Sequence, residues 1–160
     1  MIRRSVFLAA ALSAVAAIAG AQGTKPAAPA HVMMNNAELV WGAASPALPK
    51  GASGVVIAGN PAETGPFTLR LKVPAGYKIA PHWHPTTEHV TVLSGVFSMG
   101  TGDSYDAGKL HDLAVGGISV MPAETRHFAY SKDGAIVQVH GNGPFTLTYV
   151  NPADDPRNAK

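Results

Sequence analysis

The chain of 160 residues contains no cysteine, and this absence excludes several kinds of protein chemistry. Without thiols there are no disulfides, no cysteine-based zinc sites, no thiol nucleophile and no lipid anchor attached to cysteine. A metal site would have to be built from histidine and oxygen ligands. Stability must come from a hydrophobic core, and 46% hydrophobic residues suffice for one domain of ordinary size.

Charged side chains are also scarce, at 14% of the chain, and their balance argues against a nucleic-acid partner. The formal net charge is +2, but without Arg3 and Arg4 ten basic side chains face ten acidic ones. No basic stripe with interleaved aromatic residues occurs, so the electrostatic footprint for binding phosphate backbones is missing. The chain also lacks a G-x-S-x-G elbow, a phosphate loop and a dinucleotide fingerprint, which disfavours acyl transfer and nucleotide chemistry.

The apolar run Val6–Ala19, at the N-terminus, is too short and too rich in alanine for a stable membrane span. Two arginines precede the run and small residues end it, which is the order of a signal peptide with its cleavage site. The sequence therefore predicts a signal peptide over residues 1–21, a mature chain that begins near Gln22, and a periplasmic or secreted location. A retained anchor helix is the alternative, and no membrane contact is expected after signal removal.

Alternating polar and apolar residues predict an all-β fold for the rest of the chain. Phe67, Leu69, Leu71 and Val73 alternate with polar residues, as in a strand with one buried face. Turns rich in glycine and proline separate further predicted strands at Glu38–Trp41, Gly54–Ala58, Glu88–Leu93, Val96–Thr101, Ile118–Met121, His127–Lys132, Ala135–His140 and Phe145–Val150. One helical turn is predicted at residues 106–110. Many short strands with almost no helix favour an antiparallel sandwich or barrel.

Three segments are expected after the signal peptide. Residues 22–37 form an extended lead-in rich in proline and alanine. Residues 38–150 form a single β-barrel domain. Residues 151–160 form a tail whose prolines cannot continue a sheet ladder, so we expect it to lie along the surface.

Two histidines at positions i and i+2 give the first indication of a metal site. On a strand, His82 and His84 project from the same face, with Cα atoms roughly 6–7 Å apart, so both imidazoles can reach one cation. Glu88 follows after Pro85 and its neighbours bend the chain, and it adds an oxygen ligand. His127 comes from a distant strand, as a closed barrel requires. The four side chains predict one divalent-metal site.

The spacing of these residues resembles the cupin family. The first cupin motif, G-x5-H-x-H-x3-E-x6-G, is matched at every fixed position by Gly76, His82, His84, Glu88 and Gly95. The second motif, G-x5-P-x-G-x2-H-x3-N, is matched in part by Gly116, Pro122 and His127. Glu124 replaces its second glycine and Ser131 replaces its asparagine. Because glutamate tolerates a positive φ poorly, Glu124 puts the usual turn geometry in question.

The resemblance implies a double-stranded β-helix, or jelly-roll barrel, of roughly six to eight strands. It also implies that His82, His84, Glu88 and His127 bind one divalent transition metal (Fe, Mn, Zn, Ni or Cu) within the barrel mouth. The chain is further similar to cupin domains related to an anti-sigma factor, which bind zinc and need not catalyse a reaction. A small secreted cupin with an intact ligand set is therefore expected.

Two functions remain open for such a barrel. The first is a metal-dependent small-molecule enzyme of the dioxygenase, decarboxylase or isomerase type. The second is a zinc-binding or small-ligand-binding cupin without turnover, and a purely structural barrel is a weaker third option. A small-molecule ligand is the expected partner and a homodimer is compatible with the fold. Ligand types select poorly among first-row ions, so the sequence leaves the metal open.

Other residues receive expectations of their own. His140 closes a predicted strand and is a candidate to orient a metal ligand or to contact a substrate. His89 follows Glu88 and should face the opposite side of its strand, whereas His31 and His111 should be solvated. Ala129 shares the face of His127. Apolar lining of the barrel is expected from Val90, Val92, Phe97 and Met99.

Overall fold

Nine β-strands make up most of residues 31–159, the part of the chain that the computed structural model describes. The strands are β1 (Gly42–Ala43), β2 (Ser53–Ala58), β3 (Gly65–Trp83), β4 (Glu88–Gly95), β5 (Phe97–Thr101), β6 (His111–Leu113), β7 (Ile118–Met121), β8 (His127–Gly143) and β9 (Thr148–Tyr149). The predicted signal peptide at residues 1–21 and the predicted lead-in up to residue 30 lie outside the described residues. Within residues 31–159, no helix has the length and apolar character needed to cross a membrane.

Every strand pairing is antiparallel, and β8 connects the parts of the sheet. It runs beside β3 from the pair Gly65 and Gly143 to the pair His82 and His127. The first part of β8 also pairs with β5, and its second part pairs with β4. The strand order is β1-β2-β3-β8-β4-β7, with β6 on β5 and β9 on β3. This arrangement confirms the predicted all-β fold class.

The core forms where alternating side chains of the long strands point inward. On β4, Val90 and Val92 are buried, and on β8 their neighbours Val137 and Val139 are buried with them. Complete burial of a valine side chain contributes about 1.5–3 kcal/mol to stability. The predicted strand at Phe67–Val73 lies within β3 and packs its apolar face against this core.

The two glycines of the first motif are required for different reasons. Gly76 lies within β3 and has a φ of +72°, a conformation that only glycine adopts without strain. Gly95 ends β4 with a φ of +74°, and a Cβ atom there would lie 2.2 Å from the carbonyl oxygen of Gly134. The end of β4 can therefore approach Gly134 of β8 only because residue 95 has no side chain.

Two predicted strands are wrong in their extent. Instead of a strand over Glu38–Trp41, the chain forms a 3-10 turn at Asn36–Glu38, and only Gly42–Ala43 pairs as β1. The side chain of Glu38 reaches back to the backbone of the capping residue, Asn35, and this favours the turn. The strand predicted at Phe145–Val150 is reduced to β9, because residues 145–147 bond elsewhere, beginning with the bond from the Phe145 N–H to the Pro61 carbonyl (2.7 Å).

The remaining elements follow the predicted order with small differences. The strands predicted on either side of residue 133 form one continuous strand, β8. The predicted helical turn is a 3-10 turn at Ala107–Lys109, capped by the Asp106 carboxylate. The tail forms two further 3-10 turns at Pro152–Asp154 and Pro156–Asn158.

Candidate metal centre

Three strand ends bring the four predicted ligand residues to one place. His82 lies at the end of β3 and is the register partner of His127, the first residue of β8. His84 directly follows β3, and Glu88 is the first residue of β4. Because β8 pairs with both β3 and β4, the beginning of β8 holds these strand ends side by side.

The four side chains form a compact, buried group. The ligating nitrogens of His82, His84 and His127 lie within 4.8 Å of one another, and the three residues are 3%, 4% and 1% exposed. The Glu88 carboxylate lies beside them, with Oε1 3.7 Å from His84 Nε2 and Oε2 3.2 Å from His127 Nε2. The three histidines could hold one metal ion, and Glu88 is placed to supply a fourth ligand.

Backbone carbonyls fix the orientation of all three imidazoles. Each Nδ1 lies 2.8 Å from a carbonyl oxygen: that of Ala80 for His82, of Thr146 for His84 and of Thr125 for His127. A carbonyl only accepts, so in the neutral ring Nδ1 carries the proton and Nε2 keeps its lone pair. All three lone pairs are thus free for a cation, which is the arrangement that metal-binding histidines adopt in proteins.

Whether this group fits a metal can be judged from its buried nitrogen and oxygen atoms that lack a hydrogen-bond partner. His84 Nε2, His127 Nε2 and Glu88 Oε2 are buried and have no hydrogen-bond partner within residues 31–159. Leaving such an atom unpaired costs about 1–3 kcal/mol, and more if it is charged. A divalent cation among them would pair with all three. Imidazole and carboxylate donors suit first-row transition metals, so the residues fit such an ion.

The protonation states of the group also favour metal binding. Burial lowers the pKa of His82 to about 3, and the imidazoles of His127 and His84 add to this effect. Burial also lowers the pKa of His84. Although burial opposes both shifts, contacts between Glu88 and His127 raise the pKa of His127 and lower that of Glu88. His82 and His84 are therefore neutral and Glu88 is ionised at neutral pH, as ligation requires.

A cavity of about 580 Å³ opens onto the four residues. Its lining is mostly apolar and, as predicted, includes Val90, Phe97, Met99 and Ala129. Val92 is buried but is not among the lining residues. Apart from the four candidate ligands, Arg157 is the one ionisable side chain in the described lining, and it is paired with Asp155 at 2.6 Å. The cavity therefore suits a small, largely apolar molecule.

His140 does not lie where the sequence analysis placed it. Its neighbour Val139 points into the cavity, so His140 points to the outer face of β8, where it stacks on His89. His140 was expected to orient a metal ligand. The three ligand imidazoles are oriented instead by the carbonyls of Ala80, Thr146 and Thr125. The alternation of β8 already carried this information, since Val137 and Val139 mark the inner face.

Sequence reasoning missed one segment that contributes to the site. The ring of Phe145 stacks on that of His84, and the next residue, Thr146, supplies the carbonyl that fixes His84. Tyr149 lies against His82, with ring centroids 6.0 Å apart, and its hydroxyl donates to the Ala47 carbonyl. The only available signal was the aromatic content of the last predicted strand.

Comparison with protein families gives one match over most of the chain. A family model described as the ChrR Cupin-like domain matches residues 29–145. No curated protein sequence matches the chain significantly. The resemblance stated from the two motifs is therefore confirmed, including its likeness to the anti-sigma-factor type.

Several solved structures share the fold at low sequence identity. An RmlC-like cupin from Shewanella frigidimarina is 14% identical, with a TM-score of 0.56 over 71% of this chain and 92% of that chain. A candidate acetylacetone dioxygenase from Methylibium petroleiphilum is 21% identical, with a TM-score of 0.60 over 79% and 85%. The complex of Rhodobacter sphaeroides SigE with the anti-sigma ChrR contains a chain that is 18% identical, with a TM-score of 0.50 over 67% and 50%. These similarities confirm the cupin jelly roll.

Proposed function

Because the chain belongs to the ChrR cupin-like domain family, we propose that it holds one divalent transition metal and acts on a small, mostly apolar molecule. The proposed ligands are His82, His84, Glu88 and His127. The observation that carries the proposal is the set of buried, unpaired ligand atoms at an apolar cavity of about 580 Å³. A structural metal would need no such cavity, whereas a small-molecule site does.

Four protein ligands leave room for chemistry. His82, His84, Glu88 and His127 would hold the ion, and the bound metal would supply Lewis acidity or electron transfer to a molecule in the cavity. The protein supplies the rest: carbonyls hold the imidazoles rigidly, and apolar side chains such as Val90 and Phe97 exclude water from the cavity. Substrate orientation then comes from the shape of the cavity.

Among the three candidate reaction types, the lining favours oxygenation over isomerisation or decarboxylation. Proton transfer needs an acid or base within hydrogen-bond reach of the substrate. The described lining offers no imidazole or carboxylate outside the four proposed ligands, and the guanidinium of Arg157 is held by Asp155 and by the Leu147 carbonyl. Redox chemistry at a metal needs no additional protein base, so we propose a dioxygenase-type enzyme.

The test is reconstitution of metal-free protein with Fe²⁺, Mn²⁺, Cu²⁺ or Zn²⁺, followed by oxygen-electrode measurements with small apolar compounds. Acetylacetone is one probe, because a fold neighbour is a candidate acetylacetone dioxygenase. Oxygen uptake with a redox-active metal, absent with Zn²⁺ and absent in His84→Ala, is expected. Ala129→Leu, which narrows the cavity without removing a ligand, should abolish turnover while metal stays bound. Uptake unaffected by both substitutions would exclude this site.

The second candidate function is zinc binding without turnover, and the family match favours it. The family model is named for ChrR, and a chain from the complex of SigE with the anti-sigma ChrR shares the fold. The resemblance to this anti-sigma-factor type is what implies zinc binding without catalysis. Metal analysis of protein isolated from its native compartment separates the two functions. Stoichiometric zinc, with no oxygen uptake after exchange for iron, manganese or copper, would favour the binding function.

We further propose that the protein is exported and works in the periplasm or outside the cell. The support is the order of charges, apolar residues and small residues in residues 1–21. Mass spectrometry of protein recovered from the culture medium or periplasm should give an N-terminus near Gln22. Recovery of the intact chain, still beginning at Met1, would contradict the proposal.

A further inference from the structure

The outer face of the sheet carries two histidines that the cavity site does not use. His89 on β4 and His140 on β8 are register partners, and we call them the outer histidine pair. Their rings stack with centroids 4.8 Å apart and planes 12° from parallel. Both are partly exposed, and both lie on the side of the sheet opposite Val90 and Val139, which line the cavity.

From this geometry we infer a second metal site, at the outer histidine pair, for a late first-row divalent ion such as Cu²⁺, Ni²⁺ or Zn²⁺. Side chains of directly opposite residues leave neighbouring strands with Cβ atoms about 4.5–5.5 Å apart. The backbone thus fixes both imidazoles on one side of the sheet at a separation that one ion can bridge. Imidazole nitrogen is a preferred ligand of these metals.

Only a small movement is needed to bring one nitrogen of each ring to a common ion. Metal–nitrogen bonds are about 2.0–2.1 Å long, and the terminal torsion of a histidine has a broad, shallow profile. The rings can therefore rotate on fixed Cβ atoms until their nitrogens converge. Water would complete the coordination, since the face is open to solvent.

The surroundings of the pair leave it available for a ligand. Within residues 31–159, the imidazoles that form hydrogen bonds are those of His82, His84 and His127, and not those of the outer histidine pair. On the other side of His140, its register partner on β3 is Thr68. On the other side of His89, its register partner on β7 is Val120. Arg70, further along β3, is occupied by bonds to the side chains of Gln138 and Asn36. Among the neighbours that the strand register gives within residues 31–159, no free charged side chain therefore competes for the two imidazoles.

The proposal is tested with Cu²⁺ on protein in which His84→Ala and His127→Ala have removed two of the four proposed cavity ligands. This protein should bind one Cu²⁺ per chain, with an electron paramagnetic resonance spectrum showing two nitrogen ligands. Adding His89→Gln or His140→Gln should weaken binding about tenfold or more, because one imidazole loses the advantage of chelation. Both together should cost little more than either alone, since one removal already breaks the chelate.

His111→Gln is the matched control, because His111 is exposed on β6 and has no histidine beside it in the register. It should leave Cu²⁺ binding unchanged. Equal, small and additive effects of all three substitutions would mean independent surface imidazoles and would overturn the proposal. If the cavity variant does not fold, the same substitutions are made in the otherwise unchanged protein. The unchanged protein should bind two Cu²⁺ ions, and His89→Gln or His140→Gln should then remove the more weakly bound one. Retention of both ions in these variants would overturn the proposal.

Discussion

The ring of Phe145 stacks on the imidazole of His84, with centroids 4.1 Å apart and planes 18° from parallel. Phe145 also contacts Phe67 of the core, at 5.0 Å between centroids. The following residue, Thr146, holds the edge of the same imidazole through its carbonyl oxygen. One short segment therefore fixes His84 by its face and by its edge, and links the metal centre to the hydrophobic core.

Replacing Phe145 with alanine should weaken metal binding about tenfold, at the lower end of the effect seen when partners of metal ligands are removed. The physical reason is the loss of the surface that holds the His84 ring in its binding orientation. The measurement is competition for Zn²⁺ against a chelator of known affinity. Leu147→Ala is the control, because Leu147 lines the same cavity from the same segment. Both variants should lose packing stability, and an equal loss of zinc affinity in both would contradict a specific role for Phe145.

His84→Ala should remove most of the metal bound at the cavity site and leave the β-sheet intact. The core is built from residues such as Val90 and Val137, which do not depend on the metal, so the metal-free barrel should stay folded. Metal content by mass spectrometry and far-ultraviolet circular dichroism measure the two properties. His111→Ala, at an exposed position, is the control. Unchanged metal content in His84→Ala combined with His127→Ala would show that the metal lies elsewhere.

Glu124→Gly should raise the free energy of unfolding by about 0.5–1 kcal/mol. Glu124 has a φ of +63°, which strains a residue with a Cβ atom, and glycine removes the strain at the cost of a more flexible unfolded chain. The turn persists because the Glu124 N–H donates to the His84 carbonyl at 2.8 Å. Urea unfolding measures the effect. Glu124→Ala keeps the Cβ atom and should show no gain, so an equal gain in both variants would point to the lost charge instead.

The turn at Glu124 shows which features of the site the sequence predicts and which only the fold determines. The glutamate at the position of a motif glycine put the usual turn geometry in question, but the positive φ is retained. A sequence does not show that the His84 carbonyl holds the turn in place. The four proposed ligands were recognisable because ligation depends on side-chain type. The carbonyls of Ala80, Thr125 and Thr146 were not, because every residue has one and only the fold decides where it points.

Acidification should destabilise the metal-free protein, because a buried neutral histidine resists protonation. The pKa of His82 is lowered by burial to about 3, against 6.5 in the unfolded chain. Below pH 6.5 the unfolded chain therefore binds a proton that the folded chain does not. Stability present above pH 6.5 should fall by up to about 1.4 kcal/mol per pH unit as the pH drops towards 3. His84 acts in the same direction, whereas the raised pKa of His127 acts in the opposite one.

Bound metal should make the stability of the protein depend more strongly on pH, because His82, His84 and His127 must all be neutral to bind it. Metal should consequently be released on acidification, with more than one proton taken up per ion. Urea unfolding of metal-free protein at pH 7, 6 and 5 measures the first effect, and a metallochromic indicator measures the second. His82→Gln removes one buried imidazole and should flatten the dependence of stability on pH. A slope that His82→Gln leaves unchanged, or metal release independent of pH between neutrality and mild acid, would be incompatible with a buried three-histidine site.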